Sequence, residues 1–250
     1  MSLKTKLQSN QQIFGTWCIL PCPEVVNVLC KSGLDFVLID FEHSPVDFVT
    51  AQKMVMAAHA EGKDAVVRVG KLEETEILRS LDIAPDGIMV PHVESKEDVE
   101  KVISYSKYPP QGIRGYSPYT RAGGYAVREG FTKEENDRLL VSVIIESKKG
   151  IENLDEILQS KGLDMIYLGA YDISIALGHP GKINHPDVKS IIELCTQKAK
   201  SYGKAVGALF HKKDDYEYLS KLGIDFLVYR VDTAIINDGL KEVRGIKNIG

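Results

Sequence analysis

Residues 36–43 read FVLIDFEH: four consecutive apolar residues, Phe36 to Ile39, run into Asp40, Phe41, Glu42 and His43. A strand apolar on both faces belongs in a parallel sheet covered on both sides, because a half-exposed strand would alternate. Seven further β-rich runs surround this one. They are Ile13 to Leu20, Ala65 to Val69, Gly87 to Pro91, Val141 to Glu146, Met165 to Gly169, Ala205 to Phe210 and Phe226 to Arg230. Segments of helical period separate them. Ser95 precedes KEDVEKVISYS, where Val99, Val102 and Ile103 share a face. His185-Pro186 opens DVKSIIELCTQKAKSYG, with Val188, Ile191, Ile192, Cys195 and Ala199 on one stripe and Gly203 at the C-terminal cap position. Eight strands each followed by a helix predict a (β/α)8 TIM barrel rather than an open doubly wound sheet. No G-x-G-x-x-G turn follows any strand, which removes the fingerprint of a dinucleotide fold. The reading is of one α/β domain over 1–250, with a long loop at about 107–138 and a C-terminal helix at about 233–245.

Composition agrees with an ordinary globular chain. Of 250 residues, 31 are Lys or Arg and 35 Asp or Glu, a formal net charge of −4 that argues against nucleic-acid binding. Hydrophobic residues make up 44% and charged residues 26%, so a large core needs no disulfide or metal staple. The four cysteines, Cys18, Cys22, Cys30 and Cys195, form no C-x-x-C pair and read as reduced thiols. The opening MSLKTKLQSNQQ lacks the apolar stretch of a signal peptide, and no later run is long enough to cross a bilayer. A cytoplasmic protein without membrane or nucleic-acid partners is the expectation.

In a barrel, chemistry lies at the C-terminal strand ends. Asp40, Glu42 and His43 end the second strand, and His43 suits a general base near neutral pH or, alternatively, a surface loop. Arg68 sits inside the apolar run AVVRV, where a guanidinium must be paired or must face a polar cavity. A substrate carboxylate or enolate would fit its fork, as would a structural ion pair. Asp82 in LDIAPDG can orient His43, pair with Arg68 or cap a helix. Glu146 ends the fifth strand and Asp172 follows the sixth, and two carboxylates on neighbouring strand ends can share one hard divalent ion with positions left for substrate. Taken separately they also read as a solvated charge and an N-cap. No His or Cys cluster has zinc-finger spacing. Lys71, Lys148 and Lys212 follow strands in polar surroundings, where nothing would lower their pKa for Schiff-base chemistry.

These residues occur in a recognisable order. DFEH at 40–43, VVRV around Arg68, LD at 81–82, VPHV at 90–93, YPPQGIRG at 108–115, IES at 145–147, LGAYDIS at 168–174 and VDT at 231–233 together resemble the HpcH/HpaI aldolase family over nearly the whole chain. The resemblance implies a barrel of the phosphoenolpyruvate/pyruvate type and a metal-dependent class II aldolase. Such an enzyme cleaves 4-hydroxy-2-oxo acids to pyruvate and an aldehyde. It further implies that Glu146 and Asp172 hold Mg²⁺, Mn²⁺ or Co²⁺, that His43 is the base with Asp82 raising its basicity, and that Arg68 stabilises the enolate. Tyr171, through its backbone, and Asp172 would meet the pyruvate moiety. A homohexamer exchanging C-terminal helices is implied too, with Ala234, Ile235, Leu240 and Val243 available for that packing.

The sequence departs from the family pattern at Ile144, where Gln is common, at Ala170 after Gly169, where Pro is common, and at Ala84-Pro85, where Gly-Ala is common. None removes a charged group. Two alternatives stand beside the aldolase: an oxaloacetate decarboxylase or thioester lyase on the same scaffold, and a non-catalytic barrel that binds an oxo acid.

Overall fold

The computed structural model describes the backbone of residues 1–247, with the side chains of Val243, Ile246 and Lys247 outside the described set. Eight parallel strands close on themselves in sequence order. They are β1 (Ile13–Cys18), β2 (Phe36–Asp40), β3 (Asp64–Arg68), β4 (Gly87–Val90), β5 (Leu140–Ile145), β6 (Met165–Leu168), β7 (Ala205–Phe210) and β8 (Phe226–Val231). Each of the eight apolar runs became a strand, so the TIM-barrel reading holds. The ends move by a residue or two because pairing sets them: Asp40 opposite Arg68 is the last paired position between β2 and β3.

Period two sorts side chains into an inner and an outer core. Phe36 and Leu38 join Trp17, Val66, Met89, Leu140, Ile144, Met165, Tyr167, Phe226 and Val228 inside the barrel. Val37 and Ile39 pack outward against Val26, Cys30, Met54 and Val55 of the flanking helices. An inner layer filled by Phe36 and Tyr167 needs gaps on neighbouring strands. Glycines supply them, since a Cβ at Gly15 would lie 2.4 Å from the Phe36 ring and one at Gly207 2.7 Å from that of Tyr167. The helix Leu3–Gln8 sends Leu3 and Leu7 into the same inner cluster and closes it. That i, i+4 pair lies within an otherwise polar opening segment, which hides it from hydropathy.

The helix starting after Ser95 is capped as the sequence suggested, its hydroxyl accepting from the Asp98 amide at 3.2 Å. Gly203 takes a left-handed φ of 68° just past the helix Pro186–Ser201. The stretch expected to be an irregular loop contains a helix at Phe131–Arg138, and its N-terminal part is anchored by buried Lys107 and Arg114. The C-terminal helix runs Asp232–Lys247. Of the residues named for inter-subunit packing, Leu240 is exposed, Ala234 and Ile235 are half-buried, and the Val243 side chain lies outside the described residues. Among the described residues, no helix is long and apolar enough to cross a membrane.

Candidate active site

The alternation that fills the inner core also aims the polar groups. Asp40 continues the inward series Phe36, Leu38; Arg68 continues Val66; Glu146 continues Ile144. Each stands at a C-terminal strand end, so all three meet above the apolar filling. Arg68 donates from Nε to Asp40 Oδ1 at 2.8 Å and from Nη2 to Asp40 Oδ2 at 2.6 Å, a bidentate pair. Its Nη1 lies 2.8 Å from Glu42 Oε2, and its guanidinium stacks 4.4 Å above the Trp17 ring. Two carboxylates and a π face thus hold the fork rigid, and the Arg68 pKa stays above its ordinary value, burial being outweighed by Asp40 and Glu42. Two of five N–H donors bond Asp40, and Glu42 pairs with Nη1 in charge without a hydrogen bond, so three N–H groups remain for a substrate.

Glu146 is buried. Its Oε1 accepts the His92 amide at 2.8 Å and faces His92 Nδ1 at 2.8 Å, while His92 Nε2 reaches Glu42 Oε1 at 2.8 Å. His92 follows β4 with a left-handed φ of 57°, an outlier of the kind that collects at functional sites. The other Glu146 oxygen, Oε2, points at Gly169, where a Cβ would sit 3.0 Å from it and 2.7 Å from the glutamate Cβ. Asp172 occupies the first turn of the short helix Ala170–Ala176, which Gly169 caps. Burial raises the Glu146 pKa, the His92 amide and ring oppose that, and the charges of Asp172 and Glu42 add to it. Carboxylates crowded to this degree, with Glu146 Oε2 free and Asp172 exposed, suit an oxygen-preferring divalent cation that keeps water and substrate positions open. The residues fit the ion that the sequence implied.

Asp40, Arg68, Glu146 and Asp172 line one cavity of about 380 Å³ together with His43, Tyr171 and the apolar Trp17, Ile19, Ile144, Tyr167, Leu209 and Val231. The size suits a small organic acid and its partner. His43, Arg68, Glu146, Tyr171 and Asp172 are therefore brought together. Asp172 is not an N-cap. Asp82 lies elsewhere: it ends the helix Glu74–Asp82, its carboxylate faces Arg114 Nη2 at 3.4 Å, and it lines a separate surface cavity with Phe48, Arg79 and Tyr119. The suggested Asp82–Arg68 pair is corrected, since the inward parity of β2 gives Arg68 to Asp40 and Glu42. Among the described residues no hydrogen bond joins Asp82 to His43. Burial raises the Asp82 pKa against the opposing charge of Arg114.

Sequence reasoning missed three contributors. Trp17 and Tyr167, joined Nε1 to Oη at 3.2 Å, form the cavity floor, and within all-apolar runs they were indistinguishable from core. His92 was findable, because it stands just past a strand end. A separate cluster of His179, His185 and Asp187 brings three metal-ligating side chains within 4.8 Å. Its two imidazoles stack face to face at 3.5 Å, so a shared ion would lie out of both ring planes, and His179 is already bonded to Asp187 at 2.9 Å.

Comparison with known proteins gives the family and the fold. Residues 14–237 match the family model HpcH/HpaI aldolase/citrate lyase. The chain is 32% identical over 240 residues to a 5-keto-4-deoxy-D-glucarate aldolase of Salmonella arizonae, covering 96% of this chain and 94% of that one. Among solved structures, an HpcH/HpaI aldolase from Desulfitobacterium hafniense superposes with a TM-score of 0.92 at 28% identity over 100% of this chain and 96% of that one. The citrate synthase SbnG gives 0.89 at 30% identity, with coverage of 99% and 97%.

Proposed function

The chain belongs to the HpcH/HpaI aldolase/citrate lyase family and is a carbon–carbon lyase; from that premise we propose a metal-dependent class II aldolase that reversibly cleaves a 4-hydroxy-2-oxo acid to pyruvate and an aldehyde. The observation that carries this reading is the convergence on one cavity of Glu146, Asp172, the clamped Arg68 and His43. Breaking the C3–C4 bond leaves a pyruvate enolate, whose charge needs preorganised cations in a site of low polarity. A Mg²⁺, Mn²⁺ or Co²⁺ ion held by Glu146 and Asp172 would supply Lewis acidity at the 2-oxo group when bound. Arg68 directs its remaining N–H groups at the developing oxyanion. Its clamp removes the cost of ordering a long side chain during reaction. His43 takes the proton of the C4 hydroxyl as the bond breaks and returns it in the condensation direction. The backbone at Tyr171 faces the pyruvate moiety, and the apolar wall keeps water from the enolate.

The test is condensation of pyruvate with an aldehyde panel, run on protein stripped by EDTA and on protein with each divalent ion restored. Product in the restored samples and none in the stripped ones supports the reading. Full activity after stripping would remove the ion from it.

We also propose assembly as a homo-oligomer, a hexamer by family likeness. Supporting it, Ile236 and Leu240 on the C-terminal helix are 47% and 68% exposed, an apolar stripe better covered by a second copy than by water.

A further inference from the structure

We propose that Tyr167 is a catalytic residue, its hydroxyl donating to the 2-oxo oxygen of the bound pyruvate moiety beside Arg68. The inference deepens the pyruvate-aldolase reading and rests on it. Tyr167 belongs to the inward series of β6 and is 4% exposed. Its ring crosses β7 where Gly207 leaves room, since a Cβ there would lie 2.7 Å from the ring. The hydroxyl thereby meets Trp17 Nε1 of β1 at 3.2 Å. An indole N–H can only donate. The Tyr167 oxygen is therefore the acceptor in that contact, and its own proton must point elsewhere. Among the described residues this is the one hydrogen bond that the hydroxyl makes. A buried O–H without an acceptor is costly, and both Tyr167 and Trp17 line the cavity. The acceptor that completes the pair is an oxygen bound there.

The position of Arg68 selects which oxygen. Its guanidinium stacks 4.4 Å above the Trp17 ring, and the Trp17 and Tyr167 rings meet edge to face with centroids 5.7 Å apart. One indole thus carries the guanidinium on its face and the hydroxyl at its N–H, so an oxygen held by the free N–H groups of Arg68 lies within reach of the Tyr167 proton. Burial raises the Tyr167 pKa, and the Trp17 N–H and the Arg68 charge oppose that only in part. The hydroxyl therefore stays protonated across the neutral range and serves as a donor, not as a base. When the C3–C4 bond breaks, or when a C3 proton leaves pyruvate, the electron pair passes to the 2-oxo oxygen. Tyr167 keeps its proton throughout, and its hydrogen bond strengthens as the acceptor gains charge. Held between the Gly207 gap and Trp17, the donor needs no reordering as that charge develops.

The experiment measures deuterium exchange at C3 against pyruvate concentration, on the full chain loaded with Mn²⁺. Tyr167→Phe should lower the maximal exchange rate by about a hundredfold, the scale of one oxyanion donor, and change the KM for pyruvate far less. An unchanged maximal rate overturns the proposal. So does a raised KM alone, which would put the donor on the carboxylate, whose charge is the same before and after. Trp17→Phe removes the indole N–H, leaves the hydroxyl in place and should cost clearly less than Tyr167→Phe. Equal losses would mean that the hydroxyl acts only by holding Trp17, and would overturn the catalytic role. Should Tyr167→Phe fail to fold because it strands the Trp17 N–H, the double variant Trp17→Phe/Tyr167→Phe removes both partners of the bond. It should exchange about a hundredfold more slowly than Trp17→Phe alone, and equal rates in those two variants overturn the proposal. The wild type separates the two levels of inference. No exchange in it defeats the aldolase reading and this proposal with it, whereas exchange that Tyr167→Phe leaves intact defeats the Tyr167 assignment alone.

Discussion

Arg68 shows how a residue can be legible in type and illegible in partner. Its place inside AVVRV demanded a counter-charge or a polar cavity, and the structure supplies both, Asp40 with Glu42 on one side and the cavity on the other. The sequence contained Asp40 at a strand end, but choosing it over Asp82 required knowing which face of β2 turns inward. That pairing changes what substitutions should do. Arg68→Ala leaves buried Asp40 without its cation, so it should both unfold more easily, by about 3 kcal/mol or more, and lose turnover. Arg68→Lys keeps the charge and loses the fork. It should retain most of the stability while kcat falls by about a hundredfold or more, the scale of one lost oxyanion donor; steady-state rates beside a urea titration check this, and a fully active Lys variant would make Arg68 structural. His43→Ala separates the two chemistries that the scaffold could run. Aldol turnover should drop by about a hundredfold or more, while decarboxylation of oxaloacetate, which needs no C4 hydroxyl deprotonation, should persist; equal losses in both assays would take the base role from His43.

At the scale of elements, the turn from β6 into the helix Ala170–Ala176 decides how Glu146 and Asp172 meet. Gly169 is required there for space, because a Cβ would strike the Glu146 side chain. Gly169→Ala should therefore weaken divalent-ion affinity by about tenfold or more with a smaller effect on melting, the glutamate being displaced rather than the fold; calorimetric titration with Mn²⁺ measures it, and unchanged affinity would mean that Glu146 does not hold the ion. The long connection between β4 and β5 was legible as a functional-length loop, and its helix was not, since FTKEENDR has almost no apolar stripe. Buried Lys107 stabilises that helix end by donating to the carbonyls of Asn136 at 2.6 Å and Leu139 at 3.2 Å. Burial first, and then Lys4, pull the Lys107 ammonium down to about 8, against Asp164, Glu135 and Asp137. The folded chain therefore releases this proton more readily than the unfolded chain, so its contribution to stability should rise between pH 8 and the ordinary lysine range. Urea unfolding of wild type and Lys107→Met at pH 8 and pH 10 should show the wild-type advantage growing with pH; a constant difference would place the proton elsewhere.

For the whole molecule, eight apolar runs were enough to close the barrel because each strand is buried on both faces and its neighbours are adjacent in sequence. What the sequence could not give was the third dimension of the site: the floor of Trp17 and Tyr167, the His92 bridge between Glu42 and Glu146, and the separation of Asp82 from both Arg68 and His43. Those depend on side-chain parity and register rather than on residue type. Assembly belongs to this scale as well. Sedimentation at micromolar concentration should give a particle several times the 27.7 kDa of one chain, since a stable interface persists there, and a monomeric particle would reject the oligomer. The central claim is that Glu146 and Asp172 would hold a divalent ion whose Lewis acidity would favour loss of a C3 proton from pyruvate. Proton-to-deuterium exchange of pyruvate in heavy water, read by NMR for wild type and Glu146→Gln with and without Mn²⁺, tests it most directly. Exchange confined to metal-loaded wild type is the expected result, and exchange that survives both chelation and Glu146→Gln would contradict the account.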